Sequence, residues 1–230
     1  MRIFGFGLLA AHMALTAVAS TNTVRVAAIQ CPSEMGATGE NVRRISDLVR
    51  KAAAQGANIV VVPECAVQGY MDPLTWTSWK KSQDDGDPQV ATIAEPIPGP
   101  STRHFGALAK ELGVYLCIGL VEAEADKFYN SQVLLARTGQ IVARHRKQSL
   151  WMPGDATWCS AGERPVQVVE TEYGKLGLMI CHDFHTLPAK SVFQKSKSFV
   201  SGWCDFTSGL SPNLFQDRDA KCIPVSQQSH

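Results

Sequence analysis

At 230 residues, with 45% hydrophobic and 19% charged side chains, the chain has the composition of one domain with a full core, which excludes a disordered or low-complexity protein. Twenty-two basic against twenty-one acidic residues leave a formal charge of +1, so there is no electrostatic case for nucleic acid as a partner, and a small neutral substrate fits the balance. The seven cysteines are scattered singly with no CxxC pair, which argues against a structural zinc site and leaves at least one thiol unpaired in a monomer.

The first segment reads as an address rather than as fold. Arg2 supplies a short positive region, Ile3 to Ala11 and Met13 to Val18 are mostly apolar, and Ala17-Val18-Ala19 has the small-residue pattern of a cleavage site. We expect a secretory signal peptide over 1–19, a secreted protein beginning at Ser20, and no membrane association after cleavage. A buried helix or an anchor is the competing reading, but His12 interrupts the run and a bilayer needs about 20 apolar residues.

Residues 24–30 (VRVAAIQ) predict a strand. Val42, Ile45, Val49 and Ala52 fall at helical spacing over 41–55, closed by Gly56, and residues 58–62 (NIVVV) predict a second strand. Such a crossover normally joins parallel neighbours in a right-handed sense. Pro63 stops the second strand and leaves Glu64 at its carboxyl end, the edge where ligands sit in open α/β sheets. Residues 66–100 are rich in Gly and Pro, with Tyr70, Trp76 and Trp79 between them, and predict a long loop region that either lines a pocket mouth or packs as an aromatic cluster. Ser101 reads as the cap of an amphipathic helix carrying Phe105, Leu108, Ala109 and Leu112 and ending at Gly113.

Strand-like runs follow over 114–121, 129–136 and 141–146, joined by short polar turns as in antiparallel hairpins, so the sheet is mixed. The last delivers Arg144, His145, Arg146 and Lys147, whose side chains alternate between the two faces. Another hairpin, 166–169 and 175–180 around a TEYG turn, carries Cys181 at its end.

Three strands therefore end on Glu64, Lys147 and Cys181. A thiol with an ordinary pKa of about 8.5 is a sparse nucleophile at neutral pH and needs an adjacent base or positive charge; a carboxylate supplies the first and an ammonium the second. A Cys-His dyad is the competing arrangement, but His182 is the next residue and neighbours in extended chain point apart. A buried, inert cysteine is the bland alternative.

The segments VVPECAVQGY, YNSQVLLARTGQIVARHRK and GLMICHDF, in that order and each at a strand end, resemble the nitrilase or carbon-nitrogen hydrolase superfamily over about residues 24–187. The resemblance implies an αββα sandwich with mixed sheets that hydrolyses a non-peptide carbon-nitrogen bond of a small amide, nitrile or N-carbamoyl substrate without a cofactor. It implies Cys181 as nucleophile through a thioester or thioimidate, Glu64 as base, and Lys147 with the N–H of His182 as oxyanion donors. It also implies a homodimer paired through helices. Many members carry a second glutamate shortly after the lysine; here that segment offers Asp155, and Glu163 further on, and neither is assigned the role.

Family members continue well past the cysteine, whereas here the chain from Ser191 is serine-rich without sustained periodicity; Phe199, Val200, Trp203 and Phe206 are its one core-like piece. The expected organisation is a leader over 1–19, the hydrolase domain over 20–190, and an atypical or truncated tail over 191–230, a C-terminally incomplete sandwich. Two rival functions stand beside hydrolysis: a catalytically impaired member with a binding role, and an acyltransferase whose thioester is intercepted by an amine.

Overall fold

The computed structural model describes residues 24–70, 89–152 and 154–186, together with the backbone of residues 200–201 and 221–226. The expected leader, Trp76, Trp79 and the tail's Phe199, Trp203 and Phe206 lie outside the described residues.

The opening unit is β1 (Arg25–Gln30), α1 (Thr38–Ala54) and β2 (Ile59–Val61), with β1 and β2 parallel and Val26 opposite Ile59. Successive side chains of β1 serve different layers. Ala27 and Ile29 meet the helices, and Val26 turns to the second sheet, so the strand reads as a continuous apolar run. Helix α1 buries Ile45, Leu48, Val49 and Ala52, the spacing of one helical stripe.

After α2 (Gln89–Ile93), α3 runs over Pro100–Leu112. Its start corrects the expectation for Ser101. Gly99 is the N-cap, and Pro100 occupies the first helical position, where a missing N–H costs nothing. Ser101 falls inside the first turn, and both its N–H and its hydroxyl donate to the buried carboxylate of Glu95, at 2.8 and 2.5 Å. Glu95 thus places negative charge where the helix dipole favours it.

Strand β3 (Tyr115–Glu124) lies parallel to β2, and β4 (Lys127–Leu135) and β5 (Ile141–Arg146) follow it antiparallel. The sheet order is β5-β4-β3-β2-β1-β9, where β9 (Lys221–Ser226) runs parallel to β1. A second sheet has the order β6-β7-β8, from β6 (Val168–Thr171), β7 (Gly174–Met179) and β8 (Val200–Ser201); β7 pairs antiparallel with β6 and parallel with β8. Both sheets therefore take a strand from the serine-rich tail. Strand β7 ends at Met179, two residues short of the cysteine.

Helices α1 and α3 cover one face of the large sheet through Phe105, Leu116, Ile118 and their neighbours. The other face packs Val61, Cys117 and Leu134 against Leu176 and Leu178 of β7. Helix, sheet and sheet are three successive layers of an αββα arrangement. Burying one such Leu or Ile contributes about 1.5–3 kcal/mol, so the two cores hold the layers in register.

Two local features set the site. A Cβ on Gly119 of β3 would fall 2.3 Å from the carbonyl oxygen of Pro63 and 2.8 Å from the N of Cys65, so only glycine lets the turn after β2 press onto β3. On β5, Arg144 and Arg146 point to one face, where both pair with the buried Glu122, while His145 and Lys147 point to the other. The basic cluster is thus largely neutralised where it stands.

Candidate active site

Glu64, Lys147 and Cys181 converge from three strand ends. The β2 ladder extends by one bond, from Val62 N to the carbonyl of Cys117 (2.8 Å), before Pro63, which has no N–H, ends it. The chain then turns with Cys65 at φ +50°, and Glu64 is swung over the edge of the sheet. Lys147 leaves β5 with its N–H on the carbonyl of Asn130, 2.8 Å away. Cys181 sits at φ +41° in the turn between β7 and α4 (Asp183–Thr186), a conformation uncommon outside glycine that is seen where a side chain must be presented.

The polar groups form a closed ring. The Lys147 ammonium lies 2.7 Å from Glu64 Oε1 and 2.5 Å from Asp155 Oδ2. The side-chain amide of Asn130 donates to Glu64 Oε1 at 2.6 Å and to Asp155 Oδ1 at 3.1 Å, closing the circuit. Asp155 also accepts from Tyr70 Oη at 3.3 Å and from the N–H of Trp151 at 3.0 Å, so each of its oxygens receives two donors. Glu64 differs: both of its bonds fall on Oε1, and among the described residues Oε2 has no partner. Its side chain keeps 10% exposure where Lys147 and Asp155 have none.

These surroundings set the protonation states. Burial alone would push the Lys147 ammonium down, but the Glu64 and Asp155 carboxylates outweigh it and hold the pKa above the ordinary lysine value, so Lys147 is charged. Burial raises the Glu64 carboxyl, and Asp155 raises it further against the pull of Lys147, which makes Glu64 a stronger base than a free glutamate. The Cys181 thiol is pushed up to about 12 by burial and then by Glu64, while Lys147 and the N–H of His182, which hydrogen-bonds the sulfur, pull it back. At neutral pH the site therefore holds a protonated thiol beside a charged ammonium.

A brace lies behind the ring. Asp183, fully buried, accepts from the N–H groups of Gln148 and Ser149 through Oδ1, and from His145 Nε2 and the N–H of Ile180 through Oδ2. It ties the chain leaving Lys147 to the chain entering Cys181. The ring of His182 is held at Nδ1 by the Ser149 hydroxyl, 2.9 Å away.

The three residues expected from the sequence are thus brought together, with the His182 N–H at the sulfur. Asp155 is the carboxylate beside the lysine, and Glu163 is exposed elsewhere. Asn130 and Asp183 were not singled out from the sequence. A signal for Asn130 existed, since the polar run Asn130, Ser131 and Gln132 interrupts a strand that otherwise ends in the apolar Val133, Leu134 and Leu135. Among the described residues no group of three or more His, Cys, Asp or Glu is arranged to hold a metal ion, and no helix is long and apolar enough to cross a membrane.

The model of the carbon-nitrogen hydrolase family matches residues 25–188. The omega-amidase NIT2 of Mus musculus is 34% identical over 171 residues, covering 70% of this chain and 56% of the relative. A protein of Pseudomonas protegens described as "Hydrolase in pqqF 5'region" is 31% identical over 175 residues, covering 76% and 56%. This chain therefore spans little more than half the length of those relatives. Among solved structures, a mutant amidase from Nesterenkonia sp. AN1, carrying the acetamide moiety of fluoroacetamide on its active-site cysteine, superposes with a TM-score of 0.64 at 19% identity, over 80% of this chain and 66% of that one; at this identity the likeness is one of fold. Residues 25–188 contain Glu64, Asn130, Lys147, Asp155 and Cys181, and the chain belongs to the carbon-nitrogen hydrolase family.

Proposed function

We propose that the protein hydrolyses the carbon-nitrogen bond of a small carboxamide through a thioester on Cys181. One observation carries the reading: Glu64 is the ring carboxylate with an oxygen that has no partner among the described residues, and its electrostatic influence reaches the Cys181 thiol. Asp155, with four donors on its two oxygens, is occupied as a fixed counter-ion.

In the first half-reaction Glu64 Oε2 takes the thiol proton as sulfur attacks the carbonyl carbon, so no free thiolate accumulates. The oxyanion that forms is met by the His182 N–H and by the hydrogen of the Lys147 ammonium not committed to a carboxylate. Protonated Glu64 returns its proton to the leaving nitrogen, the C–N bond breaks, and ammonia departs from a thioester. Water then attacks, Glu64 takes its proton, the C–S bond breaks, and the carboxylic acid leaves with the thiol restored. Lys147 keeps its charge throughout, as expected of an ammonium held between two carboxylates.

The amidase reading is favoured over nitrile or N-carbamoyl hydrolysis by the company the chain keeps, since the named relatives include an omega-amidase and the fold neighbours are amidases. The test is ammonia release from propionamide and butyramide by the full chain, beside Cys181→Ala. Turnover that disappears in Cys181→Ala supports the reading; turnover that survives it, or none from any amide, overturns it.

A further inference from the structure

We infer that Asn130 is a positioning residue of the base: by giving one amide hydrogen to Glu64 and the other to Asp155, it fixes which oxygen of Glu64 is presented to Cys181. The inference rests on the reading of Glu64 as the base. It adds a residue outside the Glu, Lys and Cys of the family resemblance.

The orientation of the amide follows from chemistry. Both partners are carboxylate oxygens, which accept and do not donate, so the NH2 group and not the carbonyl must face them. The terminal torsion of a glutamate is broad and roughly two-fold, and its two oxygens are chemically alike. A single bond from Lys147 would leave either oxygen able to turn toward the ammonium. A second donor on Oε1, at 2.6 Å, removes that freedom and leaves Oε2 as the oxygen without a partner among the described residues. The same amide holds Asp155 Oδ1, so the counter-ion and the base share one anchor.

Asn130 is suited to this by place and by charge. It is 1% exposed, lies within β4, and its own carbonyl receives the N–H of Lys147, so the anchor is built on a strand rather than a loop. Its amide is neutral. A cation there would add a second positive charge to the ring and make Glu64 a weaker base, whereas an amide directs the carboxylate and leaves the net charge of the ring unchanged. Glu64 is faced by Lys147 at the end of β5, by Asp155 and Cys159 from the segment after Gly154, by Tyr70 and Cys65 from its own turn, and by Cys181. Among the groups that act on the Glu64 carboxyl, the hydrogen bond from Asn130 works with Lys147 to favour the ionised form.

The experiment reads Glu64 directly. Full-length protein carrying 13C-carboxyl glutamate is titrated by NMR, with the Glu64 resonance assigned by its loss in Glu64→Gln, for wild type, Asn130→Leu and Asn130→Ser. Propionamide hydrolysis and thermal melting are followed on the same samples. In Asn130→Leu the Glu64 midpoint rises by about one pH unit and kcat falls about tenfold or more with KM less affected, while the protein still melts cooperatively. Asn130→Ser, which keeps a small polar side chain but cannot span both carboxylates, shows the same rise and serves if the leucine variant does not fold. An unmoved Glu64 midpoint in either folded variant overturns the inference whatever the rate does. If wild-type protein releases no ammonia, it is the reading of the function that fails, and the midpoint still decides the role of Asn130.

Discussion

His145 Nε2 and Asp183 Oδ2 lie 2.7 Å apart across 38 positions of chain, with both side chains buried. This pair joins the strand that ends at Lys147 to the turn that presents Cys181, so the spacing of ammonium and sulfur depends on it. Asp183→Ala leaves His145 and three backbone N–H groups without their acceptor and is expected to cost about 3–5 kcal/mol, read from urea unfolding. Burial would raise the Asp183 carboxyl, but the His145 hydrogen bond and charge and the backbone donors hold it below the ordinary aspartate value. A depressed folded pKa stabilises the fold above the unfolded value of about 3.9, and that share is lost as pH falls through the depressed one. The stability of Asp183→Asn, read from urea unfolding at a series of pH values, is therefore expected to depend less on pH in that window than that of wild type.

Glu64 acts on Cys181 in two opposed ways, and the opposition is measurable. As the proposed base it promotes attack; as a negative charge it adds to the burial that pushes the Cys181 thiol up to about 12. Glu64→Gln should lower amide turnover by about 10²–10⁴-fold. The same change should leave the iodoacetamide labelling of Cys181 at pH 8–9 undiminished or faster, because the thiolate is then easier to form. Peptide-resolved mass spectrometry reads the second quantity. A parallel fall in both would mean that the substitution had disordered the site rather than removed a base.

Asp155 affects Glu64 in the opposite direction to Asn130. The Asp155 carboxylate raises the Glu64 carboxyl, so in Asp155→Asn the acid limb of the kcat/KM profile should move to lower pH. The rate should drop by about 10–10³-fold as Lys147 loses one of its two counter-ions. Asp155→Glu restores the carboxylate but adds a methylene at a residue with no exposure, and should cost about 1–3 kcal/mol of stability, read from the denaturation midpoint.

The leader remains a proposal from sequence pattern. Expressed in a secreting host, the protein is expected in the medium with Ser20 as its first residue, read by intact mass and N-terminal sequencing. Retention inside the cell at full mass would remove the assignment.

Much of the fold was legible because a few periodicities cover it. The strand-helix-strand opening, the hairpins and the mixed sheet follow from runs of two and 3.6, and the alternation along β5 sends Arg144 and Arg146 away from His145 and Lys147, as found. Ser101 is not the cap because Pro100 begins the helix earlier and Glu95, only six residues before Ser101 in the chain, accepts its N–H. Asp155 could not be chosen over Glu163 from sequence, since both follow Lys147 in irregular chain whose path is decided by tertiary contacts. Asn130 was within reach: it stands beside Lys147 across the β4–β5 pair, one step from Ser131 opposite Arg146, and strand parity puts it on the site face. What was missing was the pairing register, which depends on the turn between the two strands.

At position 119 the molecule uses a missing atom as a spacer. The turn bearing Glu64 rests on β3 main chain to main chain, with Pro63 O and Cys65 N where a methyl group would otherwise stand. The height of the Glu64 main chain above the sheet is thereby fixed by backbone contact, which no rotamer can alter. Substitutions at Tyr70 or Trp151, which both donate to Asp155, can proceed without moving that reference point. Any side chain introduced at Gly119 would shift the origin from which every other distance in the site is measured.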